Sequence, residues 1–389
     1  MDARGGSGFG ELLGLDGPVR VLRNALSREQ LAATYLFAGP TGVGKTALAQ
    51  AFARAATCPA PRRDPFDGCG ACDSCKRADA AAHPEIRLVA PAGEYTQIWQ
   101  FWDRPGRPSG VLSSTLQYAP VVGARRVYIV ERADTLMEPA ANSLLKTLEE
   151  PPRYALFVLL APHSARVLPT ILSRSQTIRL SPVPVEDLAR YLCEVAEVDE
   201  ARAQSLAAWS QGCTGRALRL ASSPQEIARL DAALSFALTV PTARPLAALS
   251  IGERIRRLAA DFGAEEAGSE VGDEQVGAGR ADVGSAGGGR ERMQRGAVGL
   301  VLDVLATAYR DMLAASASGA DARLVHVTHR AEIVRVSATR PPDAWADDIE
   351  TLTEARRRVD QMVSLTALAD WLSVRLGGGP TVPGRAPAA

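Results

Sequence analysis

Short apolar runs of strand length recur through the first half of the chain, separated by segments whose apolar positions follow the helical period. Tyr35-Leu36-Phe37-Ala38, Ile86-Arg87-Leu88-Val89, Val127-Tyr128-Ile129-Val130 and Leu156 to Leu160 read as strands. Residues 10 to 34 carry an amphipathic helical pattern through Val19, Val21, Leu22, Ala25 and Leu26. Ala47 to Ala56 is helix-forming, and a further helix runs through Ala140, Leu144, Leu145 and Leu148 until Pro151-Pro152 stops it. Strands alternating with helices predict an α/β fold, a parallel sheet with helices on both faces. A ligand then belongs beyond the carboxyl ends of the strands.

Past Pro182 and Pro184 the pattern is wholly helical, with helices expected over Val185–Val195, Ala201–Leu220, and about 297–318, 321–337 and 343–377. Gly263 to Gly289 is rich in Gly, Ala, Glu and Asp and has almost no large apolar residues, so a flexible loop is expected there. The domain expectation is therefore 1–181 as the sheet domain, 182–235 as a small helical domain, and 236–379 as a second helical domain interrupted by a loop over 263–292. Residues 380–389 form a disordered tail in this reading.

Composition narrows the function classes. The 44 basic and 44 acidic residues cancel, so no global basic field advertises nucleic-acid binding. Arg62-Arg63 and Arg125-Arg126 are local basic groups, read as solvated faces ahead of phosphate ligands. No apolar run approaches the ~20 residues that span a bilayer, and Met1-Asp2-Ala3-Arg4-Gly5-Gly6 lacks the apolar core of a secretion signal. A cytoplasmic protein without a membrane partner is expected.

The strand Tyr35–Ala38 runs directly into Gly39-Pro40-Thr41-Gly42-Val43-Gly44-Lys45-Thr46, and a helix follows. This is a complete phosphate-binding loop in the context the motif requires. Its backbone N–H groups curl around a polyphosphate, Lys45 adds a point charge, and the Thr46 hydroxyl can ligate magnesium. ATP and Mg2+ are the ligands such a loop can take.

Four of the six cysteines, Cys58, Cys69, Cys72 and Cys75, form a C-x10-C-x2-C-x2-C array with turn-forming Gly68, Gly70, Asp73 and Ser74 between them. Two-residue spacers let thiolates converge on one ion, so a structural Zn2+ with a closed four-thiolate shell is expected. A pair of disulfides is the other reading, disfavoured in a reducing compartment. Cys193 and Cys213 read as small core residues. Tyr95, Trp99, Phe101 and Trp102 lie beside Pro105 and Pro108, an aromatic cluster expected to pack on its own domain ahead of facing a partner.

Together, the phosphate loop, the cysteine ribbon, the stretch Ala141-Asn142-Ser143-Leu144-Leu145-Lys146-Thr147-Leu148-Glu149-Glu150-Pro151-Pro152 and the stretch Leu168-Pro169-Thr170-Ile171-Leu172-Ser173-Arg174-Ser175 resemble the bacterial clamp-loader subunits of the AAA+ class. The likeness covers roughly residues 10 to 220. It implies an AAA+ P-loop domain, a small helical lid and an all-α C-terminal collar for oligomerisation. It also implies a role in ATP-dependent loading of a sliding clamp onto primed DNA. The partners would be the other loader subunits (gamma/tau and delta), the clamp, and DNA reached through the complex. Arg174 would be an arginine finger acting on a neighbouring subunit's nucleotide.

Departures from the family pattern sharpen that expectation. An active motor follows the strand ending at Val130 with Asp-Glu; here stand Glu131 and Arg132. Glu131 can still reach a metal-bound water. Arg132 cannot be a general base, because its guanidinium stays protonated. Asp134 reads as a solvated helix-start residue. Ala161 stands where a phosphate-sensing hydroxyl or amide is usual, and His163 beside it reads as a surface histidine ahead of a replacement sensor. The family's sensing arginine falls at Gly215, one place before Arg216. These residues predict a subunit that holds nucleotide without hydrolysing it usefully, the alternative being an authentic ATPase motor of the same complex.

Overall fold

The computed structural model describes residues 8–63, 65–92, 95–242, 250–263, 285–322, 324–361 and 363–377. They divide into two units, one running up to Leu188 with Gln211–Arg219 added, the other comprising Ala189–Ser210 and the chain from Leu220 onward.

In the first unit, helix α1 (Asp16–Ser27) precedes strand β1 (Thr34–Ala38) and helix α2 (Lys45–Thr57). A two-stranded antiparallel ribbon, β2 (Arg62–Arg63) and β3 (Phe66–Asp67), comes next with helix α3 (Asp73–Asp79). Then follow β4 (Ile86–Val89), α4 (Val111–Thr115), β5 (Arg126–Val130), α5 (Glu138–Glu149), β6 (Ala155–Ala161), α6 (Pro169–Leu172) and β7 (Gln176–Arg179). The main sheet is parallel throughout, in the order β4-β5-β6-β1-β7. The expected α/β class, with helices on both faces, is the observed one.

Alternation along the strands builds two cores. Tyr35, Phe37, Val127, Ile129, Leu156, Val158 and Leu160 face one side and pack with Leu22, Leu48 and Phe52 of α1 and α2. Leu36, Tyr128, Val130, Phe157, Leu159 and Ala161 face the other, with Leu144 and Leu148 of α5 and with Phe101. Side chains two apart share a face because the pleat has period two. A strand buried on both faces therefore reads as a continuous apolar run, which is why β1, β5 and β6 were visible in the sequence.

The edge strand β7 was not. Of Gln176-Thr177-Ile178-Arg179 only Ile178 is buried, so the segment carries no apolar run. After α7 (Val185–Ala196), the helix expected over Ala201–Leu220 is instead two, α8 (Glu200–Trp209) and α9 (Thr214–Ser222). Gln211 and Gly212 take φ of 54° and 74°, outside the helical region. A Cβ at Gly212 would lie 2.2 Å from the Val183 carbonyl oxygen. The segment 182–235, expected as one small domain, is thereby shared between the two units. Gln211–Arg219 goes with the sheet, where Cys213 is a core residue; Cys193 is only half-buried.

The second unit is helical, with Pro224–Thr239, Ile251–Gly263, Ser285–Ser318, Arg330–Ser337, Pro342–Asp360 and Leu365–Gly377 following α8. Of the loop expected over 263–292, residues 264–284 lie outside the described residues, and the chain is helical from Ser285. The tail 380–389 also lies outside them. The helix expected over 321–337 is confined to Arg330–Ser337, because the buried Asp311 carboxylate accepts the backbone N–H groups of Val325 (3.0 Å) and His326 (2.8 Å) and holds that stretch out of helix. His326 is fully accounted for: Nδ1 meets Asp311 at 2.8 Å, and Trp209 Nε1 donates to Nε2 at 2.7 Å. No helix among the described residues is long and apolar enough to cross a membrane.

Candidate nucleotide and metal sites

The loop from Gly39 to Thr46 leaves the carboxyl end of β1 and enters α2 at Lys45. Gly42 and Gly44 hold φ of 84° and 104°, a conformation that side chains resist. These turns and the amino end of α2 make an anion cradle of backbone amides. The Lys45 ammonium lies within it, donating to the carbonyl oxygens of Gly39 (2.6 Å) and Pro40 (2.8 Å). Burial pushes the Lys45 pKa down to about 8; Cys213 and Asp134 oppose that shift and Arg132 reinforces it. A cradle of amides with a half-buried cation suits a polyphosphate, so Gly39, Pro40, Thr41, Gly42, Val43, Gly44, Lys45 and Thr46 are the residues that could hold ATP, and the Thr46 hydroxyl is a donor type that Mg2+ accepts.

The carboxyl end of β5 departs from the sequence expectation. Glu131 is half-buried, and burial raises its carboxyl above the ordinary value. Asp134 is not a solvated helix-start residue: its side chain is only 4% exposed and is gripped by Arg132, whose Nε and Nη2 donate to its two oxygens at 3.3 and 3.2 Å. Two charged residues two apart meet this way because Arg132 takes a left-handed backbone (φ 53°, ψ 51°), which no local pattern announces.

Ala161 ends β6 fully buried, and its carbonyl accepts the Gly39 N–H at 3.2 Å; it offers no side-chain hydrogen bond to a phosphate. His163 is exposed. Arg216, whose place was doubtful from spacing alone, lies against the loop. The neighbouring Gly215 N–H donates to the Gly42 carbonyl at 2.9 Å, and a Cβ on Gly42 would come within 2.9 Å of Arg216 Cβ. Arg174 stands apart from these groups, exposed after α6 and paired with Glu149.

The four cysteines converge. Their sulfurs all lie within 4.8 Å of one another, with Cys58–Cys72 and Cys69–Cys75 at 3.9 Å. A tetrahedron with Zn–S near 2.3 Å has edges of about 3.8 Å, so the donor set fits zinc, and the cysteines are free thiols with no disulfide between them. Backbone N–H groups of Cys69, Cys72 and Cys75 point at neighbouring sulfurs. Hydrogen bonds led by the Cys72 N–H hold the Cys69 thiol down at about 6, whereas burial pushes Cys75 up to about 12.

Cys58 directly follows α2, so the ribbon is joined to the helix that carries Lys45. Arg54 secures the junction. It is 5% exposed, 3.0 Å from Asp79 of α3 and 3.9 Å from Asp67 of β3. Arg54 is a lone cation in the apolar run Ala51-Phe52-Ala53-Arg54-Ala55, the one local mark in the sequence of this buried pairing. Arg126 was misread: it is buried, not solvated, and pairs with Glu85 at 2.5 Å. Arg62 and Arg63 are exposed. In the aromatic cluster Phe101 is buried and Trp102 donates to the Ser143 hydroxyl at 3.1 Å, whereas Tyr95 is half exposed.

Residues 15–184 match the model of a family described as "DNA polymerase III, delta subunit". Over this stretch the chain is similar to bacterial DNA polymerase III subunits. It is 31% identical to the DNA polymerase III subunit delta' of Bacillus subtilis over 176 residues, which is 45% of this chain and 50% of that one. It is 31% identical to subunit tau of Escherichia coli over 232 residues, 58% of this chain and 34% of that one. The chain spans between 26% and 50% of the length of the first four curated relatives it matches. A solved gamma subunit-related protein of DNA polymerase III from Thermotoga maritima aligns over 87% of this chain and 99% of its own at 16% identity, with a TM-score of 0.35. The RuvB branch-migration motor of the same organism aligns over 60% and 67% at 17% identity, with a TM-score of 0.38.

Proposed function

We propose that this chain is a delta-prime-type subunit of a DNA polymerase III clamp loader, taking part in ATP-dependent loading of the sliding clamp onto primed DNA. It assembles with gamma/tau and delta subunits in the cytoplasm, holds nucleotide without hydrolysing it usefully, and has no polymerase site of its own. The observation that carries this reading is Arg132 at the end of β5, where a water-activating carboxylate would stand, with Asp134 engaged by it. Removing a general base typically costs about a hundredfold to ten-thousandfold in rate. Bound Mg2+ would neutralise phosphate charge, with Thr46 and Glu131 as its nearest candidates. Arg174 supplies a finger to a neighbouring motor subunit, and Zn2+ on Cys58, Cys69, Cys72 and Cys75 is structural.

The second reading is a gamma/tau-type motor, favoured by the matches to tau subunits. Single-turnover phosphate release from the isolated chain separates the two: a stator releases no phosphate above background, and a burst stoichiometric with protein makes it a motor.

A further inference from the structure

The ladder registers place Arg132 opposite the phosphate loop. Val130 is level with Leu159 and Ala38 with Ala161, so two residues past Val130 the chain reaches the level at which β1 becomes the loop. Only β6 separates β5 from β1, two inter-strand steps or about 10 Å. The guanidinium is therefore at the same carboxyl edge as Lys45.

Its posture there is imposed. A left-handed backbone at a residue other than glycine is held only where neighbours over-determine it. Here both the N–H and the hydroxyl of Thr135 donate to the Arg132 carbonyl at 2.8 Å. The side chain is 41% exposed, while the Asp134 carboxylate beneath it is 4% exposed. The pair uses two of the guanidinium's five N–H donors and aims them inward. The other three donors belong to a half-exposed group at the carboxyl edge of the sheet, the edge from which the loop springs.

We propose that Arg132 is a ligand for the terminal phosphate of a nucleoside triphosphate bound in this chain's own loop, with Asp134 as the counter-charge that parks it. A site that lacks a water-activating carboxylate has a second cation in its place, so it discriminates triphosphate from diphosphate while preserving the bond between them. This rests on the reading that the loop binds nucleotide. Planar guanidinium suits phosphate oxygens, and a charge-assisted pair of this kind is worth about tenfold to a hundredfold in affinity.

Titration of the full chain with a non-hydrolysable ATP analogue and with ADP, each with Mg2+, tests it. Arg132→Ala is expected to weaken the analogue at least tenfold and ADP less than twofold. Because that change leaves Asp134 buried without its partner, the double change Arg132→Ala with Asp134→Asn is measured alongside, with thermal melting to show that it folds, and should give the same selective loss. Asp134→Asn alone, which unparks the arginine, should tighten the analogue. An equal loss for both nucleotides, or no loss in the folded double variant, overturns the role of Arg132 and leaves the loop's binding intact. If the unaltered chain binds neither nucleotide, the loop reading falls and the proposal with it.

Discussion

Arg174 donates from Nη2 to the Glu149 carboxylate at 2.5 Å, and from Nη1 to the Thr170 carbonyl at 3.0 Å. The residue proposed as a finger for a neighbour is thus folded back onto the last residue of α5, in the Leu-Glu-Glu-Pro-Pro stretch. Both side chains are more than a third exposed, so the pair contributes little to stability, about 0.2–1 kcal/mol at most.

Arg174→Ala should therefore leave the melting of the isolated chain nearly unchanged while lowering ATP hydrolysis by the assembled loader, by roughly a thousandfold at the site it serves. Glu149→Gln should hold or raise that activity, because it removes a competitor for the guanidinium. If Glu149→Gln instead cripples hydrolysis as deeply as Arg174→Ala, Glu149 positions the finger and does not compete for it.

The cysteine site should be a stabilising element and not a reactive one. Metal analysis is expected to find about one zinc per chain. Cys72→Ser should lower the melting temperature and zinc content together. Arg54→Met should destabilise the chain with zinc still bound, because it removes the cation shared by Asp79 and Asp67 without touching a ligand. Loss of zinc in Arg54→Met would mean that the junction with α2 shapes the site itself.

Glu85 and Arg126 give a pH-dependent contribution. Burial opposes ionisation of Glu85, but hydrogen bonds from Arg126 and from the N–H groups of Val121 and Val122 outweigh it and hold the carboxyl below its ordinary value of 4.5. A depressed folded-state value means stability that is present above the ordinary value and lost as pH falls through the folded one. Glu85→Gln should cost about 3–5 kcal/mol at pH 7, since it leaves the buried Arg126 charge without a counter-ion, held only by the Thr115 and Tyr118 carbonyls. The gap to the unaltered chain should narrow as pH falls below 4.5. A gap that stays constant down to pH 3 in denaturant titrations would show that the pair does not titrate as described.

Much of the fold was legible because its signals are contiguous. β1, β5 and β6 are sandwiched between two layers and so are apolar throughout, and the phosphate loop and the cysteine array are fixed by spacing along a few residues. β7 was missed because an edge strand needs only Ile178 to face inward. The break between α8 and α9 was missed because Gly212 is one glycine in a helical pattern, and its close approach to Val183 lies in another segment.

The chain's own order of residues thus determined that a glycine-rich loop ending in Lys45 and Thr46 follows the first strand, that four thiols lie close enough to share one ion, and that the sheet is parallel. Those features depend on neighbours in sequence or on a period of two or 3.6. Tertiary structure alone decided the fate of the charges. It buried Arg126 against Glu85, set Arg54 between Asp79 and Asp67, brought Arg216 to Gly42, and turned Arg132 back onto Asp134. Burying an ion requires a partner nearby in space, and neither a burial depth nor a left-handed turn leaves a mark on composition.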